Sequence, residues 1–219
     1  RLTSMSALIC GSLAFDTIMV FPDQFKNHIL PDKVHILNVS FLVPRMRREF
    51  GGCAGNIAYN LHLLGGHPIP MGTVGSDFGP YREYFDGLGI DLSRVRVIDE
   101  LFTPQAFITT DHDNNQITAF HPGAMMRSYE NHVRGVPGVT LGLVGPDGRE
   151  GMIQNALEFH EDGIPFIFDP GQAMPLFNGP ELRQFIEQAD YVVVNDYESN
   201  LLQERTGWDE KEIVSRVQA

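Results

Sequence analysis

Short apolar segments alternate with helical patterns along most of this chain, and this alternation constrains the fold more than any other feature of the sequence. Apolar runs of strand length lie at residues 7–11, 68–74, 95–99, 141–144, 165–168 and 191–195. Amphipathic helical patterns lie between them, as at 150–161 and 180–189. Parallel strands connected by helices give this pattern. The chain is therefore predicted to be an α/β protein with a mostly parallel central sheet.

Two stretches interrupt the alternation and predict a second, smaller sheet. No helical pattern occurs within residues 21–50, where residues 35–43 resemble a strand. Residues 105–121 have the pattern of a hairpin, and its Asp-Asn-Asn turn uses residue types that tolerate positive φ. We expect a small β-sheet, formed by about 21–50 and 101–124, to project from the main domain. A hairpin with only a structural role is the alternative.

Composition limits the partners of the chain. Its 219 residues fit one large domain over 1–219, and its net charge of −12 argues against nucleic acid or an anionic membrane as a partner. No apolar run reaches the length of a membrane span. The two cysteines, Cys10 and Cys53, have no metal-site spacing and predict reduced thiols in a cytoplasmic protein.

The segment that starts at Gly51-Gly52 is a candidate binding site. Two glycines allow close approach of backbone to a ligand, and a helical pattern follows them at once. Asn56 falls in the first turn of that helix, where we expect outward-pointing backbone N–H groups beside an amide that can donate and accept. A tight turn before a core helix is the structural alternative.

Other polar residues follow predicted strands or their turns. Asp16, Asn56, Asp169 and Asn195 have this placement. Because open α/β sheets bind ligands at the carboxyl ends of their strands, these residues could gather at one edge.

Three segments, in order along the chain, resemble the signatures of the ribokinase family, the phosphofructokinase-B-type carbohydrate kinases. They are residues 8–16, which end in Asp16, the Gly51-Gly52 segment through Asn56, and residues 192–198, which contain an Asn-x-x-Glu element. The residues of these segments, together with residues 120–125, most resemble those of bacterial adenosine or nucleoside kinases. The resemblance implies a three-layer α/β domain with a β-sheet lid. It also implies an ATP- and Mg²⁺-dependent kinase that phosphorylates a primary hydroxyl of an adenosine-like nucleoside or, as the runner-up, a free sugar.

The resemblance also implies roles for individual residues. Asp16, Gly51, Gly52 and Asn56 would hold the ribose, and in relatives the lid often pairs with a second subunit, so a homodimer is possible. The lid of this chain offers Gln105, Phe107 and Phe120, and the two rings could cover a base or sugar face or simply pack within the hairpin. Asn195 and Glu198 would lie beside the phosphates, with Glu198 helping to hold Mg²⁺ through water. Asp169 lies where relatives carry an acid near the phosphates, although Gly171 and Ala173 replace the Asn and Arg that many of them have.

One family element has no match. Relatives carry a later Gly-Ala-Gly-Asp-type loop that supplies the catalytic Asp and an anion hole, and this sequence contains no such loop, no P-loop and no Gly-x-Gly-x-x-Gly. We therefore expect the chain to correspond to the first two thirds of a typical relative and to transfer no phosphate by itself. The alternative is a non-catalytic sugar- or nucleoside-binding protein that has lost the transfer region.

Overall fold

A six-stranded parallel sheet forms the centre of the part of the chain that the computed structural model describes, residues 6–29, 36 and 38–217. The strands are β1 (Ser6–Cys10), β2 (Ala14–Val20), β3 (Arg45–Gly51), β4 (His67–Gly75), β5 (Val95–Ile98), β6 (Gln105–Thr110), β7 (Gln116–His121), β8 (Val139–Val144), β9 (Phe166–Phe168) and β10 (Tyr191–Val192). The helices are α1 (Cys53–Leu63), α2 (Gly79–Leu88), α3 (Arg149–Glu161), α4 (Gly179–Gln188), α5 (Asp196–Thr206) and α6 (Glu210–Arg216). The central strands follow the spatial order β10-β9-β8-β1-β4-β5, and all neighbours are parallel.

The predicted α/β alternation is confirmed. Each of the six apolar runs forms a strand of the central sheet, although β10 ends at Val192 rather than at 195. The strand stops early because Asn195 has already become the N-cap of α5. Asp209 caps α6 by accepting the N–H of Glu212 at 2.8 Å, and the side chain of Glu212 accepts a bond from Arg216. No helix in the described ranges is long and apolar enough to cross a membrane.

Two hydrophobic cores lie on opposite faces of the central sheet. Alternate residues of β1 enter different cores, Leu8 the one that α3 and α4 cover and Ile9 the one that α1 and α2 cover. Side chains on both faces of the sheet are thus buried, which explains why the central strands are continuous apolar runs. The result is a three-layer domain.

A separate four-stranded sheet, hereafter the second sheet, has the order β3-β2-β6-β7. Strands β2 and β6 are parallel and the other neighbours are antiparallel. The β6–β7 hairpin is confirmed, with Asn114 at φ 61° in its turn and the Asp111 carboxylate accepting bonds from the N–H groups of Asp113 and Asn115. The second sheet also contains β2, which lies before the expected 21–50 segment.

The prediction of a strand at 35–43 is wrong for the residues of this segment that the structure describes. Residues 36 and 38–43 form no strand, residues 35 and 37 lie outside the described residues, and β3 begins only at Arg45. The apolar Phe41 packs instead on Phe21 and Phe25, with ring centroids 4.8 and 5.1 Å apart. The sequence concealed β3 because most of this edge strand is exposed on both faces and charged.

Candidate active site between the two sheets

The turn that precedes α1 requires glycine at position 52. Gly52 has a φ of 86°, and a Cβ there would lie 2.5 Å from the carbonyl oxygen of Ser12 and 2.8 Å from Cα of Leu13. The turn therefore closes tightly against the connection between β1 and β2. This contact brings the start of α1 beside the first strand of the second sheet.

Ser12 occupies the N–H groups at the start of α1. Its Oγ accepts a bond from the N–H of Cys53 (3.0 Å), and its carbonyl oxygen accepts one from Ala54 (3.0 Å). The N–H of Asn56 donates to the carbonyl of Gly52 at 2.9 Å. The expectation of free N–H groups beside Asn56 is therefore wrong, because the β1–β2 connection crosses the helix terminus and binds them.

Asp16 lies against the Gly51-Gly52 turn. A Cβ on Gly51 would be 2.8 Å from Cγ of Asp16 and closer still to its Oδ2, so the missing side chain makes room for the carboxylate. Asp16 is in β2 and faces Glu49 across the β2–β3 pair. Burial, and then the charge of Glu49, raise the pKa of Asp16. Asp16 is thus on the second sheet, not at the end of a central strand as the sequence suggested.

Asn56 is exposed and lines an open cleft of about 410 Å³. The cleft runs between α1 and the central sheet, and its other lining residues are mostly apolar, including Leu61, Leu143 and Ile167. Asn56 is therefore open to solvent near the start of α1, although the lining of this cleft includes neither Asp16 nor the Gly51-Gly52 turn.

The three residues expected on the lid do not share one face of the second sheet. In register, Phe120 is opposite Ala106, which is opposite Asp16, so Phe120 and Asp16 are on the same face. Gln105 and Phe107 are on the other face, and the amide of Gln105 donates to Asp77 at 3.1 Å. Phe107 and Phe120 consequently cannot cover the same side of a ligand together.

Tyr81 supports the turn and was missed by sequence reasoning. Its hydroxyl donates to the carbonyl of Gly51 at 2.9 Å and fits because Gly55 has no side chain in its way. Burial raises the pKa of Tyr81, so it remains a neutral donor. Only the helical spacing of Tyr81 with Phe85 was visible in the sequence, and that spacing predicts a core position rather than a contact 30 residues away.

Asn195, Glu198 and Asp169 form a second polar group at the carboxyl edge of the central sheet. Asn195 and Glu198 form a capping box on α5, in which each side chain accepts the other's N–H at 2.9 Å. Burial, and then the charge of Glu198, raise the pKa of Asp169. Among the described residues no group of three or more His, Cys, Asp or Glu side chains could hold a metal ion. Any cation here would be held by few carboxylates.

Cys53 connects the two polar groups. It follows Gly52 directly, and its Sγ is 4.0 Å from the amide nitrogen of Gln172, three residues after Asp169. Burial is the main cause that raises the pKa of Cys53, and the charge of Asp169 contributes. Cys53 therefore lies at the surface between the Gly51-Gly52 turn and the segment that follows Asp169.

Asp147 is a buried carboxyl beneath this surface, and we expect it to make stability depend on pH. Burial raises its pKa to about 7, although its Oδ1 accepts the N–H of Gly148 at 2.8 Å. Because the folded pKa is above the unfolded value, stability should fall as pH rises from about 4 to about 7. Asp147→Asn should remove this loss and raise the free energy of unfolding at pH 8 by ~2–4 kcal/mol, with little change at pH 4.5. Urea unfolding at both pH values measures it.

The matched control for this prediction is Asp91→Asn. Asp91 also accepts a local backbone N–H, from Ser93 at 2.8 Å, but it is exposed. Its substitution should leave the pH dependence unchanged. An Asp147→Asn variant whose stability parallels that of the unmodified protein at both pH values would contradict a raised pKa at this position.

Comparison with known proteins shows that the chain is similar to carbohydrate kinases, several of them nucleoside kinases. Residues 15–219 match the family described as pfkB family carbohydrate kinase. The structure of Burkholderia thailandensis nucleoside kinase in complex with inosine is similar, at 56% identity and a TM-score of 0.85 over 97% of this chain and 68% of that one. The nucleoside kinase of Methanocaldococcus jannaschii is 32% identical over 171 residues, 75% of this chain and 56% of that protein.

The length of the match is also informative. A second archaeal nucleoside kinase, from Methanothermobacter thermautotrophicus, is 30% identical over 87% of this chain and 60% of its own length. The chain thus spans less than two thirds of these curated relatives. The match nevertheless includes both polar groups of the site, because it begins at residue 15 and continues to 219. The chain belongs to the pfkB family of carbohydrate kinases.

Proposed function

We propose that the whole protein is a nucleoside kinase. This chain matches 56–60% of the length of its curated relatives. The whole protein transfers the γ-phosphoryl group of ATP to the primary 5′-hydroxyl of a purine nucleoside, adenosine-like by preference. The observation that carries the proposal is the Asp16 carboxylate against the Gly51-Gly52 turn. Support comes from the 56% identity to a nucleoside kinase whose structure contains inosine.

Asp16 would hold the sugar. An ionised carboxylate can accept two hydrogen bonds from vicinal ribose hydroxyls, and each such charge-assisted bond contributes about 1.5–3 kcal/mol. Burial and Glu49 make ionised Asp16 costly in the free protein. Two hydroxyl donors offset that cost, so a vicinal diol is the chemistry that suits the site. Asn56, exposed in the adjoining cleft, would add an amide contact.

The second sheet would act as the lid. Phe120 is 52% exposed on the face that carries Asp16, where its ring could cover the nucleoside and exclude water.

The opposite face of the second sheet carries exposed Met46, Phe107 and Ile117. We propose that this apolar face pairs with a second copy of the chain to form a homodimer. Sedimentation of the whole protein should give a dimer, and Ile117→Lys should shift it to monomer.

Asp169, Asn195 and Glu198 would form the phosphate end. The capping box occupies Oε2 of Glu198 and leaves Oε1 available near Asp169. Mg²⁺ prefers one or two carboxylates with several waters, which fits this pair. Burial is the main cause that raises the pKa of Asp169, and a cation would relieve the smaller contribution from the charge of Glu198. Bound Mg²⁺ would neutralise charge on the phosphates during transfer. Asn195 would fix the start of α5 so that Glu198 points to the phosphates.

Substitution of Glu198 by glutamine should raise the Mg²⁺ concentration for half-maximal activity about ten-fold. Glutamine can still accept the N–H of Asn195, so the cap remains while one charge is lost. Titration of activity with Mg²⁺ measures the change. Glu181→Gln is the control, because Asn178 and Glu181 form the same capping box on α4. An unchanged Mg²⁺ requirement in Glu198→Gln would remove Glu198 from the metal site.

A cytoplasmic location is part of the proposal. Both cysteines are free, and Cys10 is buried. Reduced thiols and the use of ATP are consistent with that compartment.

The test of function measures ADP release by protein from the complete reading frame with ATP and Mg²⁺. The acceptors are adenosine, inosine, guanosine, ribose and fructose 6-phosphate. Turnover with a nucleoside, at a kcat/KM at least ten-fold above that for ribose, is the expected result. Turnover with ribose or fructose 6-phosphate alone would make the protein a sugar kinase. Nucleoside binding without turnover would favour a binding protein.

A further inference from the structure

Asp77 connects the central domain to the second sheet at two points. It lies in the loop between β4 and α2, and its side chain is 24% exposed. Oδ2 accepts a bond from the amide of Gln105 at 3.1 Å and lies 3.7 Å from the guanidinium of Arg48. Oδ1 accepts the N–H of Thr103 at 2.7 Å. One carboxylate thus binds side chains of both β3 and β6.

The two bound strands flank the strand that carries Asp16. Arg48 in β3 is opposite Thr17, and Gln105 in β6 is opposite Phe15. Asp16 lies between Phe15 and Thr17 in β2, with its side chain on the other face. The guanidinium of Arg48 also lies over the ring of Phe15, 3.6 Å from its centroid.

These contacts attach the second sheet to the loop of the central domain that follows β4. Asp16 needs such support because it is directly opposite Glu49, and like charges in that position repel each other. On the face of the second sheet opposite Asp16, the Asp77 carboxylate offsets the charge of Arg48 and binds the two strands, β3 and β6, that flank β2. Because it acts through the strands, it does not need to touch a ligand.

We propose that Asp77 is a positioning residue for nucleoside binding, which holds β3 and β6 against the central domain so that Asp16 stays in place relative to Asn56 on α1. This inference rests on the proposed function. Loss of the carboxylate would let the second sheet, with Asp16 and Gly51, shift relative to the central domain and would weaken sugar binding. Chemistry at the 5′-hydroxyl would be affected much less.

The experiment measures the Kd for inosine by calorimetry, and KM and kcat with ATP, on the whole protein. The variants are Asp77→Ala, Asp16→Asn and the double variant, with exposed Asp86→Asn on α2 as the control. Asp77→Ala should raise Kd and KM roughly 10- to 100-fold and change kcat less than about three-fold. If Asp77 acts through Asp16, the double variant should bind no more than about three-fold more weakly than Asp16→Asn alone.

A second route to the same contact keeps the test decisive if Asp77→Ala does not fold. Asp77→Asn retains the acceptor for Thr103, and Arg48→Met removes the partner charge. Each should raise the Kd for inosine, and their combination should cost less than the two effects summed. The role of Asp77 would be overturned, and the proposed function left standing, by either of two results. One is an unchanged Kd for inosine in these variants, and the other is a double variant whose loss of binding equals the sum of the Asp77→Ala and Asp16→Asn losses. A wild-type protein that binds no nucleoside would overturn the proposed function as well.

Discussion

Substitution of Asp16 by asparagine is expected to lower kcat/KM for a purine nucleoside by about 100-fold or more. The physical reason is the loss of charge from the acceptor of two ribose hydroxyls, each bond contributing about 1.5–3 kcal/mol. The amide also presents an N–H₂ group that cannot accept from a hydroxyl. Steady-state kinetics on the whole protein measure the loss, which should appear mainly in KM.

Glu49→Gln is the matched control for Asp16→Asn, because Glu49 is directly opposite Asp16 but pairs with Arg47 at 3.5 Å. It should change kcat/KM less than about five-fold near neutral pH. Binding that needs ionised Asp16 should weaken as pH falls through the pKa of Asp16. Burial and the charge of Glu49 raise that pKa, so in Glu49→Gln the decline should begin at lower pH. Equal kinetics for Asp16→Asn and the unmodified protein would exclude the sugar-holding role.

Replacement of Gly52 by alanine is expected to destabilise the protein by about 3 kcal/mol or more. The new Cβ would require both a positive φ and a position 2.5–2.8 Å from backbone atoms of residues 12–14, which cannot move without displacing β2. The Asp16 end of the site would shift with it. Denaturant unfolding followed by circular dichroism measures the change.

Gly65→Ala separates backbone strain from the steric contact. Gly65 has a similar φ of 81°, but a Cβ there meets no atom within 4 Å. Its substitution should cost only about 1 kcal/mol, the penalty of positive φ alone. Similar losses for Gly52→Ala and Gly65→Ala would show that the close approach to the β1–β2 connection is not important for stability.

The central sheet could be predicted from sequence because its strands are buried on both faces. A run such as that of β8 has almost no interpretation other than a strand or a buried helix, and its length decides between them. The edge strand β3 gave no such signal, since it carries three exposed arginines, Arg45, Arg47 and Arg48, instead of an apolar run. A charged strand of this kind is recognised only through its pairing with β2.

The geometry of the candidate site could be predicted in part. The motifs singled out Gly51, Gly52 and Asp16, and the structure brings Asp16 against the turn; their role in binding stays a prediction. The side chain that caps α1 and the phenol that supports the turn, those of Ser12 and Tyr81, were not found, because each contacts a residue 30 or more positions away. The division of Phe107 and Phe120 between two faces required the strand register, which the hairpin pattern alone does not give.

The most direct test of the central claim compares the Kd values of inosine and 2′,3′-dideoxyinosine for the unmodified whole protein and for Asp16→Asn. If Asp16 holds the ribose hydroxyls, removing them should weaken binding to the unmodified protein by about 100-fold, and to Asp16→Asn by less than about five-fold. An equal loss of affinity in both proteins would contradict the assignment of Asp16 to the sugar.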